Sequence, residues 1–254
     1  MTTKRLPKKL AKEPLIDVVC GINFESDGPA DTLLPGLLMA KLTGKQLRFE
    51  ALPAAQLPQA VRAVMPNLEA APRVRVVLDE KFTVLIGVNW LGVACLMPYA
   101  GWDEFRAMIE SVFDVLRSAT FVRKIVRHSL KYADFIKSSN DIGHLARLNV
   151  DISVAGRSLS KQGSQSTQLR TEIVEPPFVH ATTVVAPATA TTAVGAPAHG
   201  TFVDVDTLRI QDFSVDEFLG QLRQLLDEIH SANKLFFFEL LSDTGLQELE
   251  PQYD

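Results

Sequence analysis

Cysteine is scarce in this chain of 254 residues, with Cys20 and Cys95 its only two. Two thiols cannot build a disulfide framework or a four-ligand zinc site. Each sits inside an apolar run, so both read as buried small hydrophobes, and the low count fits a reducing compartment. Long apolar runs are missing too, since no stretch approaches the ~18 residues of a membrane span. The basic start, Met1 to Leu10, has no apolar segment behind it of the kind a secretory signal needs. The expectation is a soluble, cytoplasmic protein with no membrane partner. Neither sign of charge dominates: 26 Lys and Arg stand against 30 Asp and Glu, net -4.

The motifs of catalysis are equally sparse. The chain has no G-x-x-x-x-G-K-[ST], no G-x-G-x-x-G, no G-x-S-x-G and no H-E-x-x-H. Its histidines, His128, His144, His180, His199 and His230, have no Cys, His or carboxylate at a metal-ligand spacing. They read as hydrogen-bonded or surface groups. The best acid–base candidates are His128 and Tyr132, on one face of an apparent strand with Asp134 beyond, and His144 after Asp141. A general base needs a partner within hydrogen-bond reach and a pocket, and sequence shows neither. No catalytic residue, cofactor or metal is assigned, and the expectation is a protein that is not an enzyme.

What is present is a core-forming alternation of elements. Apolar content is 46%, enough for a sizeable core. Residues 1–13 read as a flexible basic leader. A strand over 15–24 ends at Asp27-Gly28-Pro29, and Leu33, Leu34, Leu37, Leu38 and Leu42 suggest a helix over 31–42. Four prolines mark 51–72 as mostly connection. Strands over 73–78, 82–89 and 92–98 form a meander with short links. Phe105, Met108, Ile109, Val112, Val115, Leu116 and Ala119 give the clearest helical stripe, over 101–120. A period-two strand follows at 122–137, and a helical turn is placed at 140–147.

Further strands are expected over 149–154, 168–174, 178–186 and 200–210. The polar 155–167 link and the uncharged 186–200 segment read as loops. Ser214 with Glu217 is a capping box for a final helix carrying Phe218, Leu219, Leu222, Leu225, Leu226 and Ile229. The cluster Leu235-Phe236-Phe237-Phe238 belongs either to that helix or to a second short one. These elements predict an α+β fold of two similar units, 14–121 and 122–254, in one compact domain. Each unit is an antiparallel sheet with a long helix on one face. The topology is similar to the TATA-binding-protein or helix-grip layout.

Charge is distributed unevenly. Residues 120–170 hold nine bases and three acids, whereas 201–254 hold twelve acids and three bases. Arg123, Arg127 and Lys131 recur at spacing four on the 122–137 strand, which predicts a cationic stripe on one face. With Arg157 and Lys161 of the following link they form the candidate partner-binding set. Opposed basic and acidic regions fit docking of a protein partner or self-association. Phosphate-backbone binding by the stripe is the first alternative, so nucleic acid is a possible partner. A helix-grip-like small-molecule site lined by Phe218, Leu222 and Leu225 is the second.

Short stretches spread along the chain carry a family likeness. They are Pro14 to Val19, Leu130-Lys131-Tyr132-Ala133-Asp134, Leu226 to His230, Phe238 to Asp243, and Leu246 to Pro251. On these the chain resembles a sporadically distributed, functionally uncharacterised bacterial protein family of about this length. Where that family often carries Arg-Tyr-Ile-Asn-Arg, this chain has Lys131-Tyr132-Ala133-Asp134-Phe135. The resemblance implies no activity, cofactor or site residue. Scattered occurrence implies mobile genes such as defence or toxin–antitoxin cargo, and hence an antitoxin, immunity or regulatory component.

Overall fold

The computed structural model describes residues 6–57, 71–137, 144–158, 166–190 and 197–253. In chain order its elements begin with β1 (Lys9–Leu10), β2 (Leu15–Ser26), α1 (Ala30–Lys41), β3 (Leu47–Ala51) and α2 (Pro53–Gln56). The meander follows as β4 (Val74–Leu78), β5 (Phe82–Ile86) and β6 (Trp90–Cys95). Next come α3 (Trp102–Phe113), a 3-10 turn (Asp114–Ser118), β7 (Val122–Lys137) and a second 3-10 turn (His144–Arg147). The remainder is β8 (Ser153–Val154), β9 (Arg157–Ser158), β10 (Thr167–Glu175), β11 (Phe178–Ala190), β12 (Ala198–Ser214), α4 (Val215–Leu240), α5 (Asp243–Glu248) and β13 (Pro251–Gln252). Nine of the strands pair in the order β10-β11-β12-β7-β2-β6-β5-β4-β3. The fold is α+β with a large antiparallel sheet, as the alternation of elements predicts.

Contacts divide the chain into two units drawn from non-contiguous segments. One holds residues 17–130 and 208–229, and the other holds 1–16, 131–207 and 230–254. In the first, α3 buries Phe105, Ile109, Val112 and Phe113, and the following turn buries Val115 and Leu116. That is the stripe read from the sequence, with its last third wound as 3-10. Asp103 and Glu104 lie in the first turn of α3, where they favour the helix dipole. Cys20 and Cys95 are free and buried. The second unit packs Ile136, Leu145, Leu148, Val184, Val203, Val205, Phe236, Phe237, Phe238 and Leu241 into one cluster. The phenylalanine run therefore belongs to α4, which continues unbroken through it, and Leu235 alone of that run is 45% exposed.

Local chemistry explains where elements start. Ser214 and Glu217 form the capping box: the Glu217 amide donates to Ser214 Oγ at 3.3 Å, and the Ser214 amide donates to Glu217 Oε2 at 2.9 Å. Residues of the basic leader are tied down by the chain end. The Lys8 amide donates to the Gln252 carbonyl at 2.9 Å, β1 pairs with β13, and Lys12 meets Glu250 at 2.8 Å.

Three local readings change. Residues 47–51 form a strand, β3, ahead of and just entering the expected 51–72 connection, where no element is expected. The expected 149–154 strand shrinks to Ser153–Val154, because the Asn149 amide and side chain bond instead to Leu240, Glu239 and Leu241 carbonyls. The expected 186–200 loop is shorter, since β11 runs to Ala190 and β12 starts at Ala198, with Thr189 and His199 side chains 3.1 Å apart. Residues 138–143, 159–165 and 191–196, within the expected turn and loops, lie outside the described residues.

Candidate interaction face

Register sorts the strands of the 17–130/208–229 unit into two faces. Directly paired residues share a side, so Val18, Cys95, Phe82 and Leu78 form one row, and Cys20, Val93, Val84 and Val76 another. All eight are buried. The opposite face carries the row Gly21, Gly92, Leu85, Arg75, Glu50 and the row Val19, Ala94, Thr83, Val77, Arg48. Trp90, paired with Asn23, lies on this second face.

The two paired glycines make a floor for the Trp90 ring. A Cβ on Gly92 would come within 2.3 Å of Trp90 Cη2, and one on Gly21 within 2.8 Å of Trp90 Nε1. Any side chain there would lift the indole off the sheet. The ring is therefore laid flat and half-buried, with Leu85 on the strand beside Gly92. Further along the same face the charges are mutually matched: Arg48 reaches Glu50 at 2.6 Å and Arg75 reaches Glu50 at 3.6 Å. The face thus carries a flat indole among small residues, bordered by charge pairs. Sequence reasoning missed Trp90, Gly21 and Gly92. The one available signal was the isolated Gly21 inside the expected 15–24 strand, which marks close approach of another group.

The candidate partner-binding residues fall into different settings. Arg123 is ion-paired with Asp27, and its neighbour Lys124 with Asp212 at 2.7 Å and Glu25 at 3.1 Å. The hydrogen bond from Arg123 holds the Asp27 carboxyl below its usual range. Lys131 lies 3.7 Å from Asp204. Arg127 is half-buried, and its Nε has no hydrogen-bond partner among the described residues. Burial along β7 does not keep period two, because Ile125 and His128 are both buried at a spacing of three. Arg123 is exposed and Arg127 half-buried, with the buried Ile125 between them. Arg157 is exposed on the small β8–β9 hairpin, and Lys161 lies outside the described residues.

The acid–base candidates have equally distinct surroundings. His128 is walled by Phe218 and Phe213, with ring centroids at 5.8 Å and 6.4 Å. Neither ring nitrogen has a hydrogen-bond partner among the described residues. Burial pushes its pKa down to about 4, with the charge of Arg209 adding to the shift. Tyr132 lies against His230 at 6.2 Å. Asp134 is pushed up to about 7, first by burial and then by the charges of Glu13 and Asp204. Among the described residues no group of three or more His, Cys, Asp or Glu is placed to hold a metal.

An open cavity of about 400 Å³ lies in the 17–130/208–229 unit beside α4, lined by Lys41, Glu110, Asp114, Arg117, Leu222 and Arg223 among others. Three of its charges are paired with one another: Lys41 meets Asp114 at 2.5 Å and Arg117 meets Asp114 at 2.8 Å. Of the residues expected to line a small-molecule site, only Leu222 borders this cavity. Phe218 and Leu225 are packed, at 1% and 4% exposure.

These features define a class: an α+β protein built on an antiparallel sheet, with a flat aromatic surface and paired surface charge. The chain matches no protein-family model and no curated protein sequence. Among the described residues, no helix is long and apolar enough to cross a membrane.

Proposed function

We propose that this protein acts without catalysis, as a binding partner of another protein, and docks that partner on the sheet face around Trp90. The observation that carries the reading is the indole held flat over Gly21 and Gly92. Two glycines spent on seating one half-buried tryptophan add nothing to the packed core on the other side of the sheet. They seat a half-buried indole beside the half-buried Leu85, an aromatic anchor of the kind found in interfaces. The charged pairs of Arg48, Arg75 and Glu50 along the same face supply a polar rim. Arg127, half-buried in the same unit as Trp90, is a secondary contact in this reading. An antitoxin, immunity or other regulatory role in a bacterial defence-type system is the specific form that the family resemblance adds. A TATA-binding-protein-like or helix-grip-like topology is likewise part of the proposal.

Nucleic-acid binding through β7 is less favoured, because Arg123, Lys124 and Lys131 already face carboxylates that a phosphate backbone would have to displace.

The test is affinity purification of the full chain from its native host, run in parallel with Trp90→Ser and Leu85→Glu. Both variants are first shown by thermal melting to be folded. A stoichiometric protein is expected with the parent and is lost from both variants. Equal recovery with folded variants, or no stoichiometric protein with the parent, removes the reading.

A further inference from the structure

The sheet order ends at β10, whose one neighbour in that order is β11. β10 is nine residues long. Its register with β11 runs without a skipped residue from Thr167↔Ala186 to Glu175↔Phe178, so no bulge bends it away. It contains neither proline nor lysine, the residues that commonly protect an open edge. Near its end Ile173 is 40% and Val174 68% exposed. A bulge-free edge with exposed apolar residues, and no further strand beyond it among the described residues, is a template for another strand whose charges match its own.

We propose that the occupant of this edge is a second copy of the chain, paired antiparallel through its own β10 with the two-fold axis at Thr171. The argument is the self-complementarity of the strand. Side chains alternate along a strand, so copies whose core sides face the same way must pair odd residues with odd and even with even. Centred on Thr171, Arg170 stands opposite Glu172 of the second copy, and the match occurs twice. Leu169 stands opposite Ile173 of the second copy, also twice, and Gln168 opposite Val174. Moving the centre by one residue sets Arg170 against Arg170, or Glu172 against Glu172, and like charges directly opposite are destabilising.

The odd side of the strand adds a second match. Leu169 packs against the buried cluster of its own unit, and Ile173 lies on the same side of the strand, still partly exposed. In the pair, each Ile173 sits beside the other copy's Leu169 and lengthens that cluster. Within one chain, Arg170 and Glu172 are opposite Thr183 and Ala181. Their charges therefore have no directly opposite charged partner on β11. This surface is distinct from the Trp90 face, and either assignment can fail without the other.

Sedimentation velocity of the full chain over a range of concentrations gives the test. The parent is expected to show a monomer–dimer equilibrium. Arg170→Glu alone and Glu172→Arg alone each turn two attractive cross-strand pairs into two repulsive ones, and each should weaken the dimer about tenfold. The double variant, with both charges exchanged, restores the pairs and should return the parent affinity. All three changes are at exposed positions, and thermal melts confirm that the fold is kept. A parent that stays monomeric at every concentration overturns the proposal. So does a dimer indifferent to the single changes, or one broken by them and not restored by the double.

Discussion

His128 and His180 are equally buried, each 2% exposed, and each lies against phenylalanine. They sit in different units and in opposite chemical settings. His180 stacks on Phe236 at 4.3 Å with its Nδ1 2.9 Å from Thr207 Oγ1. Asn233 Nδ2 donates to that same hydroxyl oxygen and to the Val205 carbonyl, both at 3.0 Å. The arrangement that uses the threonine proton has the hydroxyl donating to His180 Nδ1. That leaves the ring proton on Nε2, which lies 3.7 Å from a Glu175 carboxylate oxygen. His128 lies against Phe213 and Phe218, and among the described residues neither ring nitrogen has a hydrogen-bond partner. Burial lowers both pKa values, but at His180 the Glu175 charge opposes the shift. The difference teaches that burial alone does not give a histidine a role. In one unit it completes a polar network tying β11, β12 and α4 together, and in the other it is a desolvated ring filling space.

The largest effect that would break this comparison is the response to acid. His128 has a folded pKa of about 4 against an ordinary 6.5. Between those values the unfolded chain binds a proton that the folded chain refuses. The stability contributed by neutral His128 is therefore complete above pH 6.5 and falls as the pH drops toward 4, by about 3 kcal/mol. Asp134 works in the opposite sense. Its pKa rises from 3.8 to about 7, so the folded chain keeps the proton longer and stability falls as pH rises through that range. The two partly cancel in the parent, and the informative quantity is the difference between parent and His128→Leu. Urea unfolding across this pH range should show the parent losing about 3 kcal/mol relative to the variant on acidification. A difference that stays flat would mean His128 can take up a proton as readily as a solvated ring.

Next in size is Asn233, the donor that serves two acceptors in the His180 network. Asn233→Ala leaves the Val205 carbonyl without this donor and takes one partner from Thr207, both in a buried setting. A cost of about 2 kcal/mol in denaturant unfolding is expected. A cost below about 0.5 kcal/mol, the size of an ordinary surface change, would show that the network is not a stabilising tie.

Which of these settings could be read in the sequence follows from distance along the chain. The β7 strand, the α3 stripe and the Ser214–Glu217 box were legible because each is written in residues a few positions apart. β3 was missed because Arg48 and Glu50 leave only three uncharged residues in a five-residue edge strand. The seat of Trp90 depends on Gly21, and the pairing that brings them together joins strands far apart in sequence. Locally, Trp90-Leu91 before Gly92 looks like a hairpin link. The same distance hides the carboxylates that face two members of the basic stripe: Asp27 beside Arg123 and Asp204 beside Lys131 come from other segments. Composition showed that opposed charge was present and could not show that it was already paired.

The smallest predicted effect is the sharpest form of the comparison, because one substitution should have opposite signs at the two sites. At about pH 8, where both histidines are neutral, protonation drops out and only hydrogen bonding and packing remain. His128→Leu removes two ring nitrogens that lack partners among the described residues and substitutes an apolar side chain among Phe213 and Phe218. Removing unsatisfied polar atoms from an apolar site should leave the protein more stable, by about 1 kcal/mol. His180→Leu withdraws a ring that is both stacked on Phe236 and bonded to Thr207, so it should destabilise by a similar amount or more. Thermal unfolding of the two variants side by side supplies the measurement. If both lose stability, a partner for His128 exists that its aromatic walls conceal. If both gain, the Thr207–Asn233 pair does not need the ring, and the two units treat their histidines alike.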